Sequence, residues 1–369
     1  MIVDKDWFFI THRMNLAKSL QQNGASVYVA TQDTGHKNRI EAEGFEWLSI
    51  HSSRNSINPL KEIRLIYQIS DIIGRIKPDI VHIISIKMML PGLIALAFHS
   101  KPVIICSITG LGSLFLGRKR HITNFLLDQI MLWMKHRILF IFQNNFDQAL
   151  FVQRKWTNHT SAFLIRGSGV VPEEFAFSPI PANETPIVLF ASRLTAHKGI
   201  YEFAEAASKI AAVFPAARFQ IAGRLVYDNP TSLTEEKMGR LVAQHPVTYL
   251  GNITNMADLL TSATIVVLPT HGGEGVPKVL IEAAFIGRPI VATDVPGCSD
   301  IVDHGITGLL VPPQNSAMLG NAILSLLQNK ELMTSMGKSA HQKAIASFSM
   351  GHVIESTLTV YEQAIQNEK

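Results

Sequence analysis

The chain reads as an α/β protein in two halves, each built on a parallel sheet, and three observations predict it. Short apolar runs of strand length alternate with helix-length segments from end to end, the pattern left by successive βαβ units. The alternation is interrupted once, at Ser178-Pro-Ile-Pro-Ala-Asn-Glu-Thr-Pro186, where three prolines fall within nine residues that hold few large apolar side chains. At 369 residues the chain also exceeds what one core ordinarily serves, so two domains of about 150–200 residues are expected. Open parallel sheets take ligands beyond the carboxyl ends of their strands, so the two halves are expected to face one another across a cleft.

Only Met1–Asp4 precede the segment beginning Asp6-Trp7-Phe8-Phe9, read as a loop. That leaves a very short opening strand, either vestigial or the mark of a chain that begins late. Asn15–Asn23 reads as a helix, closed by Gly24 just past its end. Ala25–Thr31, Ile80–Ile84 and Pro102–Ser107 read as buried strands, with the helix Pro59–Ile76 between the first two. His121–Phe142 is the nearest approach to a membrane span, but Asp128, Lys135, His136 and Arg137 interrupt it, and no run of about 18 apolar residues exists. It is expected to be an amphipathic helix packed on a sheet. The preceding Arg118-Lys119-Arg120 keeps open a surface helix that touches lipid headgroups.

After the proline-rich break come the strand Ile187–Ala191, the helix Ile200–Phe214, and the strands Ala217–Ala222, Val247–Leu250, Thr264–Leu268 and Pro289–Ala292. Val353–Asn367 reads as a last helix that crosses back onto the first half. The expected domains are 1–178 and 179–349, with about 350–369 returning to the first.

Composition narrows the function. Hydrophobic residues make up 47% of the chain and charged residues 17%, enough to fill large cores. A net charge of +4 and a pI near 9.0 suit a phosphate-rich ligand or an anionic membrane surface. No interleaved basic and aromatic pattern points to nucleic acid. Cys106 and Cys298 stand far apart, which makes neither a disulfide framework nor a metal ligand set and suits a reducing cytoplasm. The N-terminus lacks the pattern of a secretory leader.

The most informative stretch is His271-Gly-Gly-Glu274-Gly275-Val276-Pro277-Lys-Val-Leu-Ile-Glu282. It follows the buried run Thr264–Pro269 and places a glycine-rich turn before a helix that starts at Pro277. A strand, a glycine turn and a helix N-terminus make an anion site, because unpaired backbone N–H groups point at whatever sits there. Glu282, one turn into the helix, offers two oxygens to a ribose diol, and Glu274 offers the same to a sugar. A second segment, Ser192-Arg193-Leu-Thr-Ala-His-Lys198-Gly199, leaves the strand Ile187–Ala191. Arginine supplies a planar donor fork for phosphate and lysine a compact charge. Taken alone, the two would equally suit a solvated loop. A third segment runs from Asp294-Val-Pro-Gly297-Cys-Ser-Asp300 to Gly305-Ile-Thr-Gly308-Leu-Leu-Val-Pro312 and reads mostly as scaffold turns.

Together, and in this order and spacing, the three segments resemble the donor half of glycosyltransferase family 4. The resemblance implies the GT-B fold, two Rossmann-like α/β/α domains whose parallel sheets face across a cleft, and a retaining transferase with no metal requirement. It implies that Arg193 and Lys198 hold the donor diphosphate and that Glu282 binds the ribose. Glu274, with Gly275, Val276 and Pro277, would hold the transferred sugar. Val276 is smaller than the phenylalanine or leucine usual there.

In the first half, Asp6-Trp-Phe-Phe-Ile-Thr-His12-Arg13, Pro78-Asp-Ile-Val-His82, Ile86-Lys87 and Thr109-Gly110-Leu-Gly112-Ser113 resemble PglA-like N-acetylgalactosaminyltransferases and O-antigen transferases. These enzymes extend lipid-linked oligosaccharides. That resemblance implies a UDP-linked N-acetylhexosamine such as GalNAc or GlcNAc as donor. The acceptor would be a saccharide on undecaprenyl diphosphate, met by a cytoplasmic enzyme peripheral to the inner membrane. Arg13, Lys87, Gly110, Gly112 and Ser113 are the acceptor-side candidates. Thr109 stands where some relatives carry a glutamate. His12 and His82, expected at or near strand ends, are acid/base candidates as well as ordinary structural histidines. A UDP-sugar 2-epimerase of the same architecture, or a non-catalytic sugar-nucleotide binder, remains an alternative reading.

Overall fold

The computed structural model describes residues 1–52, 59–100, 102–112, 120–182, 184–225 and 231–366. It divides into two compact units. The first comprises Met1–Ser168, Gly273–Gly275 and Met350–Lys369; the second comprises Gly169–Gly272 and Val276–Ser349.

The first unit holds β1 (Ile2–Lys5), α1 (Asp6–His12), α2 (Met14–Gln22), β2 (Tyr28–Gln32), α3 (Lys37–Ala42), β3 (Glu46–Ser49), α4 (Pro59–Ile76) and β4 (Ile80–Ile84). It continues with α5 (Ile86–Leu96), β5 (Val103–Ile108), α6 (Arg120–Met134), β6 (Ile138–Phe142), α7 (Asn145–Gln153) and β7 (Ala162–Leu164). Its seven strands are parallel in the order β3-β2-β1-β4-β5-β6-β7.

Alternating residues of each strand serve opposite faces, so Ile104, Cys106 and Ile108 join a core under α4, α5 and α6, while Ile105 joins another with Leu16 and Leu20 of α2. Val353, Val360 and Tyr361 of the C-terminal helix Met350–Gln366 pack into that second core, which places this helix in the first unit.

Three expectations for this half are corrected. The short opening strand is neither vestigial nor marginal, since β1 pairs with both β2 and β4 at the centre of the sheet. The segment from Asp6 is helix α1, not a loop, and its first residue is an acid that suits a helix start. The stretch His121–Phe142 is also not one helix. Helix α6 ends at Met134, a tight turn spans Lys135–Arg137, and Ile138-Leu-Phe-Ile-Phe142 becomes the fully buried strand β6. An all-apolar, aromatic and β-branched run of five reads as a core strand once the three basic residues before it are allowed to break the helix.

The second unit holds β8 (Ile187–Ala191), α8 (Ile200–Val213), β9 (Arg218–Ala222), α9 (Glu235–Gln244), β10 (Val247–Tyr249), α10 (Met256–Ser262), β11 (Ile265–Leu268) and α11 (Lys278–Ile286). It closes with β12 (Ile290–Thr293), α12 (Cys298–Ile301), β13 (Gly308–Val311), α13 (Ser316–Gln328) and α14 (Lys330–Phe348). The C-terminal helix named above follows as α15. Six parallel strands run β10-β9-β8-β11-β12-β13. In both sheets the order reverses beside the first strand, which creates a switch point between β1 and β4 and another between β8 and β11.

The expected boundary at residue 178 moves to Ser168/Gly169. Val170 N donates to Phe348 O at 3.1 Å, and Phe175 is buried in the second core. The start of the proline-rich stretch is likewise tied down: Ser178 N donates to Ile286 O, and the fully buried Arg288 donates to the carbonyls of Ser178, Leu260 and Thr261. A buried guanidinium satisfied by three carbonyls holds that segment to its own unit. Gly287, at φ 86, ends α11 where a Cβ would lie 2.5 Å from the Phe177 ring.

Candidate active site

At the second unit's switch point, the candidates Arg193, Lys198 and Glu282 lie on segments that follow two adjacent strands. The loop after β8 carries Arg193 and Lys198, and the loop after the neighbouring β11 leads to Val276, Pro277 and α11. The two loops are stitched together. His271 N donates to His197 O at 2.8 Å, and Thr270 Oγ1 donates to the same carbonyl at 3.2 Å. Gly199, at φ 81, packs so close that a Cβ would fall 2.0 Å from Pro269 O. Only glycine fits that approach. The backbone of one loop therefore fixes the base of the other.

Lys198 is buried, 5% exposed, on the turn Ala196–Lys198. Arg193 is half-buried, and its guanidinium makes no hydrogen bond or ion pair with a described residue. An arginine fork and a buried lysine on the loop that leaves one strand end suit the negative charge of a phosphate. The N-terminus of α11 rises from the same end of the sheet with its positive dipole end. Pro277 is the residue just before that helix and not its first turn, a shift of one position from expectation.

Glu282 projects from α11 and is 7% exposed. Burial pushes its carboxyl up to about 7, while Lys278, with Nζ 3.5 Å away, pulls the other way and Glu174 adds to the rise. Glu274 is half-buried and Gly275 buried, in the short loop segment Gly273–Gly275 that groups with the first unit.

Two partners in this neighbourhood went unread in the sequence. His271 Nε2 lies 2.9 Å from Glu202 Oε1, and Thr293 Oγ1, at the end of β12, donates to Thr270 O. An acid in the first turn of α8 reads only as a helix-dipole partner until β8 and β11 are known to be adjacent.

In the first unit, the histidines depart from their expected positions. His12 ends helix α1, not a strand, and its Nδ1 lies 3.0 Å from Ser168 Oγ. His82 sits in the middle of β4, buried, with Nδ1 2.7 Å from Tyr361 Oη and Nε2 2.7 Å from Ser107 Oγ. Burial holds its pKa well below the ordinary value, helped by the charge of Arg13, so the ring stays neutral. Both ring nitrogens are engaged, which makes it the joint between β4, β5 and α15.

Arg13 is itself buried, donates to His12 O at 3.2 Å, and leaves Nε without a partner. It lines a cavity of about 10 Å³ with His82, Ser107, Gln143 and Gly167, room for a single water. Lys87 stands in the first turn of α5 and is paired with Asp4 at 2.8 Å and Ser52 at 2.7 Å. Gly110 and Gly112 follow β5; Ser113 lies outside the described residues.

Asp6, at the carboxyl end of β1, is an acceptor centre that sequence reading took for a loop residue. Burial raises its pKa, but hydrogen bonds from Thr34, His36 and Trp7 outweigh that and hold it below the usual value. Among the described residues, no group of His, Cys, Asp and Glu side chains is placed to hold a metal ion. No helix there is long and apolar enough to cross a membrane.

Two doubly wound parallel sheets, one with cations and a buried glutamate at its switch point, define the GT-B fold. Residues 1–145 match the family described as Glycosyl transferase 4-like, and residues 185–329 match Glycosyl transferases group 1. With both halves matched, the chain belongs to glycosyltransferase family 4.

It is similar, at 24% identity over 96% of each chain, to the N,N'-diacetylbacillosaminyl-diphospho-undecaprenol alpha-1,3-N-acetylgalactosaminyltransferase of Campylobacter jejuni. It is 20% identical, over 98% of each chain, to the capsular polysaccharide biosynthesis glycosyltransferase CapM of Staphylococcus aureus. Anabaena HepE, in complex with UDP and glucose, shares the fold at a TM-score of 0.76 and 18% identity over 94% of each chain.

Proposed function

We propose that this glycosyltransferase moves an N-acetylhexosamine, with retention, from a UDP-sugar to a saccharide carried on undecaprenyl diphosphate at the inner face of the cytoplasmic membrane. The observation that carries the donor half is Arg193 and the buried Lys198 at the switch-point end of β8, beside the helix that bears Glu282. The acceptor half leans on the full-length likeness to the Campylobacter enzyme, whose name specifies an undecaprenol-diphosphate substrate.

In this reading Arg193, Lys198 and the α11 dipole neutralise the departing diphosphate, so no metal is required. Glu282 takes the ribose hydroxyls, and Glu274 with the backbone of Gly275 to Pro277 positions the transferred sugar. The leaving diphosphate oxygen accepts the proton of the attacking acceptor hydroxyl while the new bond forms on the same face. His12, Arg13, Lys87, Gly110, Gly112 and Ser113 belong to the acceptor side. His82 supports that side through Ser107 and Tyr361 and moves no proton.

The test is a panel of UDP-, GDP- and dTDP-sugars with lipid-linked acceptors, products identified by mass and anomeric configuration by NMR. A UDP-sugar altered without any acceptor would replace this reading with the 2-epimerase one. Glu274→Gln is expected to reduce turnover at least about tenfold, in line with the loss of one charged positioning contact. Near-normal turnover would remove Glu274 from the site.

A further inference from the structure

One helix layer of the first unit is apolar on the outside as well as the inside. Helix α6 buries Leu127, Met131 and Met134 against its sheet. Its opposite face presents Phe125, Leu126, Gln129, Leu132 and Trp133. At 100° per residue these five fall within an arc of about 120°. Trp133 is 84% exposed. Among the described residues of α6, Asp128 and Gln129 are the exposed polar ones, and a helix with a second apolar stripe ordinarily meets a further partner, protein or lipid.

The face extends beyond α6. Helix α5 packs against both α4 and α6. The turn after α5 is pinned between them: Ser70 of α4 bonds His99 at 3.0 Å, and Arg137, just past α6, donates to His99 O at 2.7 Å. That turn presents Phe98, 77% exposed, and α4 adds Leu60, Ile63 and Tyr67 at helical spacing. Eight of the 17 exposed large apolar side chains among the described residues thus sit on this one layer, which a random scatter would not give.

The charges on the layer are mostly positive. Lys61 and Arg64 flank the α4 stripe, and Lys135 and His136 follow α6. The acids of α4 and α6 are fewer: Asp71 is paired with Arg75 at 3.0 Å, burial raises the pKa of Glu62, and Asp128 accepts from Trp156 Nε1 at 2.7 Å.

We propose that the outer face of α4, the Phe98 turn and α6 docks this protein on an anionic phospholipid bilayer. Leu132 and Trp133 enter the headgroup boundary, and Lys61, Arg64 and Lys135 meet the lipid charge. A second copy is the poorer occupant, because a self-complementary contact would set these cations against themselves. The choice of bilayer rests on the membrane-borne acceptor proposed above. The docking itself requires only the surface.

The test uses the full chain and the double variant Leu132→Glu/Trp133→Glu, with unchanged circular dichroism and melting as controls. In flotation, wild type is expected to rise with vesicles of equal parts phosphatidylcholine and phosphatidylglycerol and less with phosphatidylcholine alone. The double variant is expected to lose at least about tenfold in partition. Wild-type tryptophan emission should shift to the blue on the mixed vesicles, a shift missing in Trp133→Phe. Equal flotation of variant and wild type overturns the proposal, as does a wild-type dimer that the double variant dissolves while flotation is absent. Turnover separates this idea from the transferase reading. The variant should keep activity on a short-chain soluble acceptor and lose it on the acceptor in vesicles. If neither acceptor reacts with any donor, the transfer reading fails while flotation still decides the docking.

Discussion

Glu282→Gln should make this protein more stable and a poorer binder of UDP, and the stability gain should depend on pH. The carboxyl is buried and its pKa is pushed from 4.5 to about 7, so the native state holds its proton where the unfolded chain has lost it. Below about pH 4.5 both states are protonated and the group contributes nothing. Between about 4.5 and 7 the native state binds more protons than the unfolded one, so stability falls as pH rises, and above 7 the whole penalty is in place. At about 1.4 kcal/mol per unit, the rise amounts to ~3 kcal/mol.

Glutamine mimics the protonated acid, so its advantage should be near zero at pH 4.5, grow through pH 7 and then level. For a unit of this size that is a Tm gain of roughly 6–12 °C at pH 8. Calorimetric scans of the full chain across this range measure it. For the same variant, isothermal titration with UDP at pH 8, where the carboxyl is ionised, should show affinity down by about 10–100-fold, the worth of charge-assisted hydrogen bonds to the ribose. A Tm difference that runs parallel to wild type at every pH, or a loss of stability at pH 8, would refute the buried-carboxylate argument. Unchanged UDP affinity would separately remove the ribose from Glu282.

Three further outcomes follow from the same geometry. Lys198→Ala should weaken UDP binding by about 10–100-fold while affecting uridine little, because the lost group is a charge aimed at phosphate; equal loss for both ligands would place Lys198 elsewhere. Gly199→Ala forces a Cβ to within 2.0 Å of Pro269 O at φ 81, so it should cost more than about 1 kcal/mol and loosen both loops; a melting point and UDP affinity equal to wild type would contradict the close packing. Tyr361→Phe strips the hydroxyl from buried His82 Nδ1 and should cost about 1–3 kcal/mol in denaturant unfolding; a change in KM for the sugar donor with unaltered stability would contradict a purely supporting role.

Legibility varied from element to element for physical reasons. Ile80–Ile84, Ile187–Ala191 and Pro59–Ile76 were readable to the residue because each is a run of one periodicity bounded by polar or proline punctuation. Strand β6 was not, because five apolar residues joined to an apolar helix by three basic ones carry no internal sign of where the period changes. Helix α1 was missed because its aromatic run packs by tertiary contact, with Phe9 buried against Phe45, more than by propensity. The domain boundary moved because prolines mark stiffness, whereas Arg288 and the Phe348 carbonyl decide which sheet a segment adheres to.

By itself the sequence determined the class of fold, the two-unit organisation and which residues stand in the loops proposed to hold the donor, since alternation, glycine turns and charged residues at strand ends are local properties. Tertiary structure decided which of those residues meet. It set β8 beside β11, so that the backbone around His197 and Gly199 seats the loop that follows β11. It buried Glu282 enough to move its pKa, and it closed α15 over His82. Burial and adjacency arise from contacts across the chain, and no local pattern of residues encodes them.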